Sequence, residues 1–391
     1  MITRTLQAVE HMSGGTGLPA SYADIVVCGA SIDSRTVQPG NLFIPIVRQL
    51  DGHRYVEKAI ANGAVASLWQ TDHPDPPTHI PLIYVDDCLL ALQTLAANYR
   101  KQLPVRIIGV TGSNGKTTTK DMLHAVMSTK YRSYKTAGNL NSQVGVALSL
   151  LEIGTDTEVA VIEMGMSERG QIARLSHIVR PDIAVITMIG LSHLASLGSR
   201  EEIAAAKLEI IQGMPHGGVL VYNGDEPLLV NGLPPTLDGR KQTCIRFGLD
   251  ESNTYCSNST VTRPDGSSFS VGEHTYDLPL LGAYNVANAL AVIAVAAQMG
   301  IHPAEIQEGF RAIQITAMRM EQTVSPDGFT IINDAWNASP VSMAAAIQTF
   351  AGLTGYARKH LVVADMLELG EEEVEYHREI GRRVNADEVD F

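Results

Sequence analysis

Lys116 and Thr117 close the run GVTGSNGKTTT over 109–119, and their types and spacing point to phosphate chemistry. A lysine after a glycine-rich turn can reach the β- and γ-phosphates of ATP, and the hydroxyl that follows can sit on Mg2+. The turn residues Thr111, Gly112, Ser113, Asn114 and Gly115, with Thr118 just beyond, would aim backbone N–H groups and a helix N-terminus at the same anion. The strict pattern would put its first glycine at Val110, whereas Gly109 stands one residue early; the core GxxGKT is intact. Glu163 closes the apolar run VAVIE, His193 follows IAVITMI, and Lys207 falls at helical spacing with Ile203 and Ile210. A carboxylate at the carboxyl end of a parallel strand faces the crevice where ligands bind, and can hold Mg2+ directly or through water. A lysine on an inward stripe needs a partner or a modification, and burial favours its neutral amine. Plainer readings stand beside these: a turn with a chance lysine, a glutamate capping a helix, a structural histidine, a snorkelling lysine.

The elements that must position these groups follow from periodicity. An apolar strand over 105–110, the turn, and a helix over 117–130 with Met122, Val126 and Met127 inward give strand, loop and helix in sequence. Further strands are predicted at 159–164, 183–189, 218–223 and 244–248, with helices over 144–151 and 199–213, the latter capped by Ser199. The span 252–280 reads as short strands turning at Asp265-Gly266, a β-rich extension of the sheet. A long helix opens after 281. These make a central ATP-binding domain of 104–315. Residues 1–103 form a smaller α/β domain, with strands near 41–46, 64–68 and 82–85 and helices over 53–62 and 86–101. Residues 316–391 hold a strand ending in Asp334, a helix from Pro340, a strand at 360–364 and a helix over 371–384. That is about two βα units, short of the ~100 residues or more of an ordinary domain, so an incomplete Rossmann-like unit is expected, from a fragment, a truncated product or a degenerate copy.

Composition is that of a globular protein, 45% hydrophobic and 18% charged over 391 residues. No apolar run is long enough to span a membrane, and the N-terminus lacks the apolar core of a signal peptide. The four cysteines show no metal spacing and read as reduced thiols of a cytoplasmic protein. A net charge of −13 argues against a nucleic-acid binder. Two more polar clusters suit ligands. Ser31, Asp33, Ser34 and Arg35 could meet a phosphate and a sugar or uracil edge, or form a solvated turn. Asn139 and Asn141 can each donate and accept, as sugar or peptide contacts require.

GxTGxNGKTT resembles the Mur ligases and folylpolyglutamate synthetases, ATP-dependent amide-forming enzymes. SIDSR over 31–35, DGH over 51–53, TAGNLNSQVG over 136–145, EMGM over 163–166, LGAYNVANA over 281–289, DAWNASP over 334–340 and DMLELG over 365–370 extend the resemblance along nearly the whole chain. They narrow it to the Mur branch that adds D-alanyl-D-alanine to UDP-N-acetylmuramoyl-tripeptide. The resemblance implies an α/β fold of three domains with a central P-loop sheet. It implies ATP and two Mg2+ as cofactors, with Thr117, Glu163 and His193 as metal ligands and Lys207 carbamylated as another. It places Asn288, Arg319 and Asp334 on ATP, and Ser31, Asp33, Ser34, Arg35, Asp51, His53, Asn139, Asn141 and Asn337 on the other substrates. A cytoplasmic monomer in peptidoglycan precursor synthesis is expected. The chain departs from the family pattern at Arg48, Ser142, Ala147, Gly190-Leu191, Trp336 and Ser339. Two alternatives remain: another amino-acid-adding Mur ligase, against which the chain has no DNPR acceptor motif, and an ATP-binding protein without catalysis.

Overall fold

The computed structural model describes residues 1–233, 242–263 and 265–384. Its centre is a six-stranded, all-parallel sheet. The spatial order is Thr243–Phe247, Val219–Asn223, Ile183–Ile186, Arg106–Thr111, Val159–Glu163, Ser133–Lys135. Such a sheet is covered on both faces, and its strands are continuous apolar runs rather than alternating ones; Val159–Glu163 and Ile183–Ile186 are buried at every position. One face is closed by the phosphate-loop helix Lys116–Met127 and by Ala283–Gln298, of whose residues eleven are buried. A helix apolar almost all round belongs in the middle of a core. Chain order turns back at Arg106–Thr111, which pairs on one side with Val159–Glu163 and on the other with Ile183–Ile186. Ligands of open α/β sheets bind outside the carboxyl ends of strands at such a reversal.

The first hundred residues carry a separate four-stranded parallel sheet, Ala30–Ser31, Leu42–Phe43, Ala66–Gln70, Leu82–Val85. Asp87 caps the helix Cys88–Gln102, whose Tyr99 hydroxyl donates to the Ile153 carbonyl and ties this region to the next. The strand predicted over 41–46 is only two residues long, because Val47 bridges back to Asp51 instead of extending it.

Two expectations change. The short strands after 252 do not extend the parallel sheet; Ser259–Arg263, Gly266–Val271 and His274–Leu278 form their own antiparallel sheet. Gly266 already pairs with Arg263 and so belongs to a strand rather than to the turn. Phe269 and Tyr276 of this sheet pack on Phe310, all within the core under Ala283–Gln298. Beyond 316, the strands Glu321–Val324 and Thr330–Asn333 pair antiparallel with each other. Of the strand predicted over 360–364, only His360 makes a bridge; among the described residues 361–364 pair with no strand, and Val362 is 94% exposed. Helices Pro340–Ala351 and Glu373–Arg383 pack through Ile347, Met366, Leu369 and Ile380.

The passage into this last region is pinned. Asp121, one turn past Thr117, accepts from both the backbone N–H and the hydroxyl of Thr316, each at 2.8 Å. Lys135 holds the same aspartate at 2.7 Å. Met318 and Met320 then both take positive φ, 62° and 50°.

Phe310→Ala removes a fully buried ring from the second core without touching the phosphate loop. The expected loss is about 3–5 kcal/mol, read as a lowered denaturation midpoint with nucleotide affinity retained.

Candidate active site

At the carboxyl edge of the sheet the loop 112–115 is held by its neighbours. Gly112 has φ 147°, and a Cβ there would meet Thr187 Oγ1 at 1.9 Å. That hydroxyl donates to the carbonyls of Asn114 and Thr111. Gly115 has φ 81°, and its missing Cβ leaves room for the Asn288 amide. Both glycines thus answer to close approach as well as to backbone sign. Lys116 Nζ donates to the Gly112 and Ser113 carbonyls of its own loop, at 2.9 and 3.1 Å. Burial lowers its pKa, Glu163 opposes this, and the Arg319 charge adds to it.

Glu163 is 1% exposed at the end of its strand. Its Oε1 accepts from the Thr117 hydroxyl at 3.2 Å and from the Asn141 amide at 2.6 Å. Its own N–H donates to Thr136 Oγ1. Lys120 Nζ stands 3.6 Å from Oε2 and donates to the Gly138 carbonyl. Sequence reasoning passed over Lys120, Asp121, Thr136 and Thr187. Lys120 had a signal in its position, one turn after Lys116 on the same helix face.

His193 sits at φ 63° before the short helix Leu194–Leu197, and its Nδ1 is 2.6 Å from Glu368 Oε2. Lys207 is 1% exposed, with no hydrogen-bond or ion-pair partner among the described residues. Burial, then the nearby Lys116 charge, push its pKa well down, with Glu209 opposing. Lys207 and Lys116 both act on His193, whose pKa is lowered chiefly by burial. Arg319 is depressed by burial and feels Glu163, Asp334 and Asp121; its guanidinium lies 5.8 Å from the Trp336 ring. Asp334 accepts from the Met320 N–H, and burial raises its pKa. Asn114 reaches Ser339 at 3.3 Å, joining the loop to the cap of Pro340–Ala351. The structure therefore gathers Thr111–Thr117, Glu163, His193, Lys207, Asn288, Arg319 and Asp334 around one edge. Thr118 follows on the helix, while Asn337 and Asn139 are exposed.

The first-domain candidates lie in two local clusters. Arg35 forks onto Asp33, with contacts of 2.6–3.2 Å, and is 75% exposed; Arg35 holds Asp33 down to about 2. Ser31 and Ser34 are buried beneath this turn, Ser31 bonding within it. Asp51 accepts from His53 Nδ1 at 2.8 Å and from His73 Nε2 at 2.7 Å, and the two rings stack at 4.0 Å. The His53 ring is buried, and its Nε2 faces the Gln70 N–H, so both its nitrogens are engaged within the domain. His73 was not singled out in the sequence because it lies in the proline-rich loop.

Similarity to known proteins agrees with this geometry. The Mur ligase middle domain matches residues 110–296, and the Mur ligase, glutamate ligase domain matches 318–391. UDP-N-acetylmuramoyl-tripeptide--D-alanyl-D-alanine ligase of Bacillus subtilis is 46% identical over all of this chain and 84% of its own length. The chain belongs to the Mur ligase family. Among solved structures, MurF from Acinetobacter baumannii superposes with a TM-score of 0.88 at 29% identity, covering 98% of this chain and 84% of that one. MurF ligase from Thermotoga maritima in complex with ADP gives 0.80 at 28% identity, covering 91% and 82%.

The donors in this Mur ligase suit a hard divalent cation. Glu163 Oε2 and Ser113 Oγ are buried without a hydrogen-bond partner, and the Thr117 hydroxyl lies beside Glu163. Carboxylate and hydroxyl oxygens are what Mg2+ prefers. An unmodified Lys207 amine is not such a donor; a carbamate oxygen is.

The Asp51 clasp makes a pH prediction. Against burial, which lowers it, the Asp51 carboxylate and the Pro74 carbonyl raise the His73 pKa. A raised folded pKa adds stability below the unfolded value, about 6.5, which is lost as pH rises through the folded value. His73→Ala should therefore cost most at and just below about pH 6 and progressively less as pH rises above it, seen in thermal melts of both proteins across that range.

Proposed function

We propose that this Mur ligase adds D-alanyl-D-alanine to UDP-N-acetylmuramoyl-tripeptide, consuming ATP, in peptidoglycan precursor synthesis. The observation that carries the reading is 46% identity over all of this chain to the Bacillus subtilis ligase, together with an intact phosphate loop facing Glu163. The terminal carboxylate of the tripeptide attacks the γ-phosphorus of ATP, giving an acyl phosphate and ADP. The free amine of D-alanyl-D-alanine then attacks the acyl carbon, loses a proton, and inorganic phosphate departs with the C–O electron pair.

The chain's own groups act by placement and charge. Lys116 is half-buried, and among the described residues its Nζ donates only to carbonyls. A triphosphate in the loop offers it anionic oxygens, and the attraction grows as charge spreads over the transferring phosphoryl group. Arg319, with its Nε buried and unpartnered, supplies a second cation from the last region. Asn288 packs against Gly115 and borders the nucleotide's side of the loop. Asp334 is assigned to the ribose hydroxyls. Thr117 and Glu163 would hold one Mg2+, and His193 with Lys207 as its carbamate a second; bound there, the ions neutralise phosphate charge. The depressed Lys207 favours the neutral amine that must attack CO2 to form that carbamate. Ser31, Asp33, Ser34, Arg35 and Asp51 are assigned to the UDP-sugar side. His53 is assigned to that side only through Asp51, which it orients. Asn139, Asn141 and Asn337 are assigned to the peptide side. We divide the chain at 103 and 315, and expect a cytoplasmic monomer. Among the described residues no helix is long and apolar enough to cross a membrane.

ADP release should require both UDP-N-acetylmuramoyl-tripeptide and D-alanyl-D-alanine, and Lys116→Ala should slow it by about 10²–10³-fold. ATP binding without acceptor-dependent turnover would leave only a nucleotide-binding protein. Separately, 13C-bicarbonate should give a carbamate NMR signal in the wild type that is missing in Lys207→Ala; an active wild type lacking it removes the carbamate from the scheme.

A further inference from the structure

The contact between His193 and Glu368 joins two parts of the chain 175 residues apart. Glu368 lies in the loop DMLELG before Gly370–Glu372, in the last region, whereas His193 follows the strand Ile183–Ile186 of the central sheet. The contact has two strands. The Glu368 side chain meets His193 Nδ1 at 2.6 Å, and the Glu368 backbone carbonyl accepts from the Ala195 N–H at 3.1 Å. Both residues sit at positive φ, 63° for His193 and 62° for Glu368. A non-glycine residue in that region costs energy and persists only where surroundings over-determine it. Here each strained residue is held against the other. Gly370 closes the same contact, since a Cβ there would stand 3.8 Å from Ala195 Cα.

We infer that Glu368 is a positioning residue for His193, fixing its tautomer and ring orientation only when the last region is docked on the central sheet. A carboxylate accepting from Nδ1–H leaves the proton on Nδ1 and the lone pair on Nε2. A histidine presenting an Nε2 lone pair to a cation commonly donates its other N–H to a carboxylate in this way. The charges of Lys207 and Lys116 act on the same ring, which follows the carboxyl end of the strand Ile183–Ile186. Glu368 sets which ring nitrogen keeps the proton, and it belongs to the last region rather than to the sheet itself. Docking of the last region and completion of the site thereby become one event. Glu368 acts through His193.

The role as a cation ligand rests on the proposed ligase reading, but the tautomer does not. The test compares wild type, Glu368→Gln and Glu368→Ala by 15N NMR of histidine-labelled full-length protein without metal, the His193 signals being assigned by their loss in His193→Ala. The wild type should show protonated Nδ1. Glu368→Gln, whose amide oxygen can accept the same N–H, should keep that tautomer. Glu368→Ala should show a mixture of tautomers. In turnover, Glu368→Ala should lower kcat about 10-fold or more and raise the Mg2+ needed for half activity by about 10–100-fold, with the KM for D-alanyl-D-alanine changed less than 3-fold, and Glu368→Gln should recover most of the loss. An unchanged Nδ1–H tautomer in Glu368→Ala overturns the inference, as does a Glu368→Gln protein that is as impaired as Glu368→Ala. A wild type with the expected tautomer but no ligation would instead count against the ligase reading alone.

Discussion

The site depends on one buried carboxylate. Glu163 is inside the protein at the end of a central strand, and a charge there needs compensation from every side. The Thr117 hydroxyl, the Asn141 amide and the Lys120 ammonium converge on its two oxygens, and its backbone N–H is taken by Thr136. Those four partners come from the phosphate-loop helix and from the segment between it and the strand Val159–Glu163. The carboxylate therefore fixes the helix against the segment 136–141, and through the helix it fixes the loop. One oxygen still lacks a hydrogen-bond partner. A group left in that state inside a protein costs stability, and sites of phosphoryl transfer gain from holding such a group ready for a cation.

Much of this was legible in the sequence because it is local. The strand, the glycine turn, Lys116 and Thr117 are contiguous, and their structure follows from backbone sterics and from the helix N-terminus. Glu163 and His193 could be found because each ends an apolar run, and Lys207 because it breaks the polarity of its stripe. What could not be read are the residues whose meaning lies in contacts across the chain. Glu368 looks like one acid in an acidic stretch until it is seen on His193. Asp121 is one polar residue of a helix until Thr316, 195 positions away, is found on it. The final region misled for a different reason. A strand was expected wherever the residues favour one, yet among the described residues 361–364 have no strand to pair with, and a strand is a property of a pair.

The first region shows how polar clusters can be consumed by their own turns. Arg35 reads as a free fork for an anion, but Asp33, two residues before it, already fills that fork. His53 reads as a ligand and is instead the buried post to which Asp51 is tied. Arg35 stays largely exposed there, while Asp33 and Asp51 are each about a third exposed and already paired within their own clusters.

The grip of Asp121 on Thr316 has a mechanical meaning. The helix that starts at the phosphate loop also carries the gatepost for the last region, so the root of that region is clamped at a point rather than sliding over a surface. Just past Thr316, Met318 and Met320 bracket Arg319 with two reversed backbone bends. Arg319 therefore stands beside the clamp itself, its place set by the helix that begins at the phosphate loop, while Glu368 fastens the same region to the central sheet at a second, separate point.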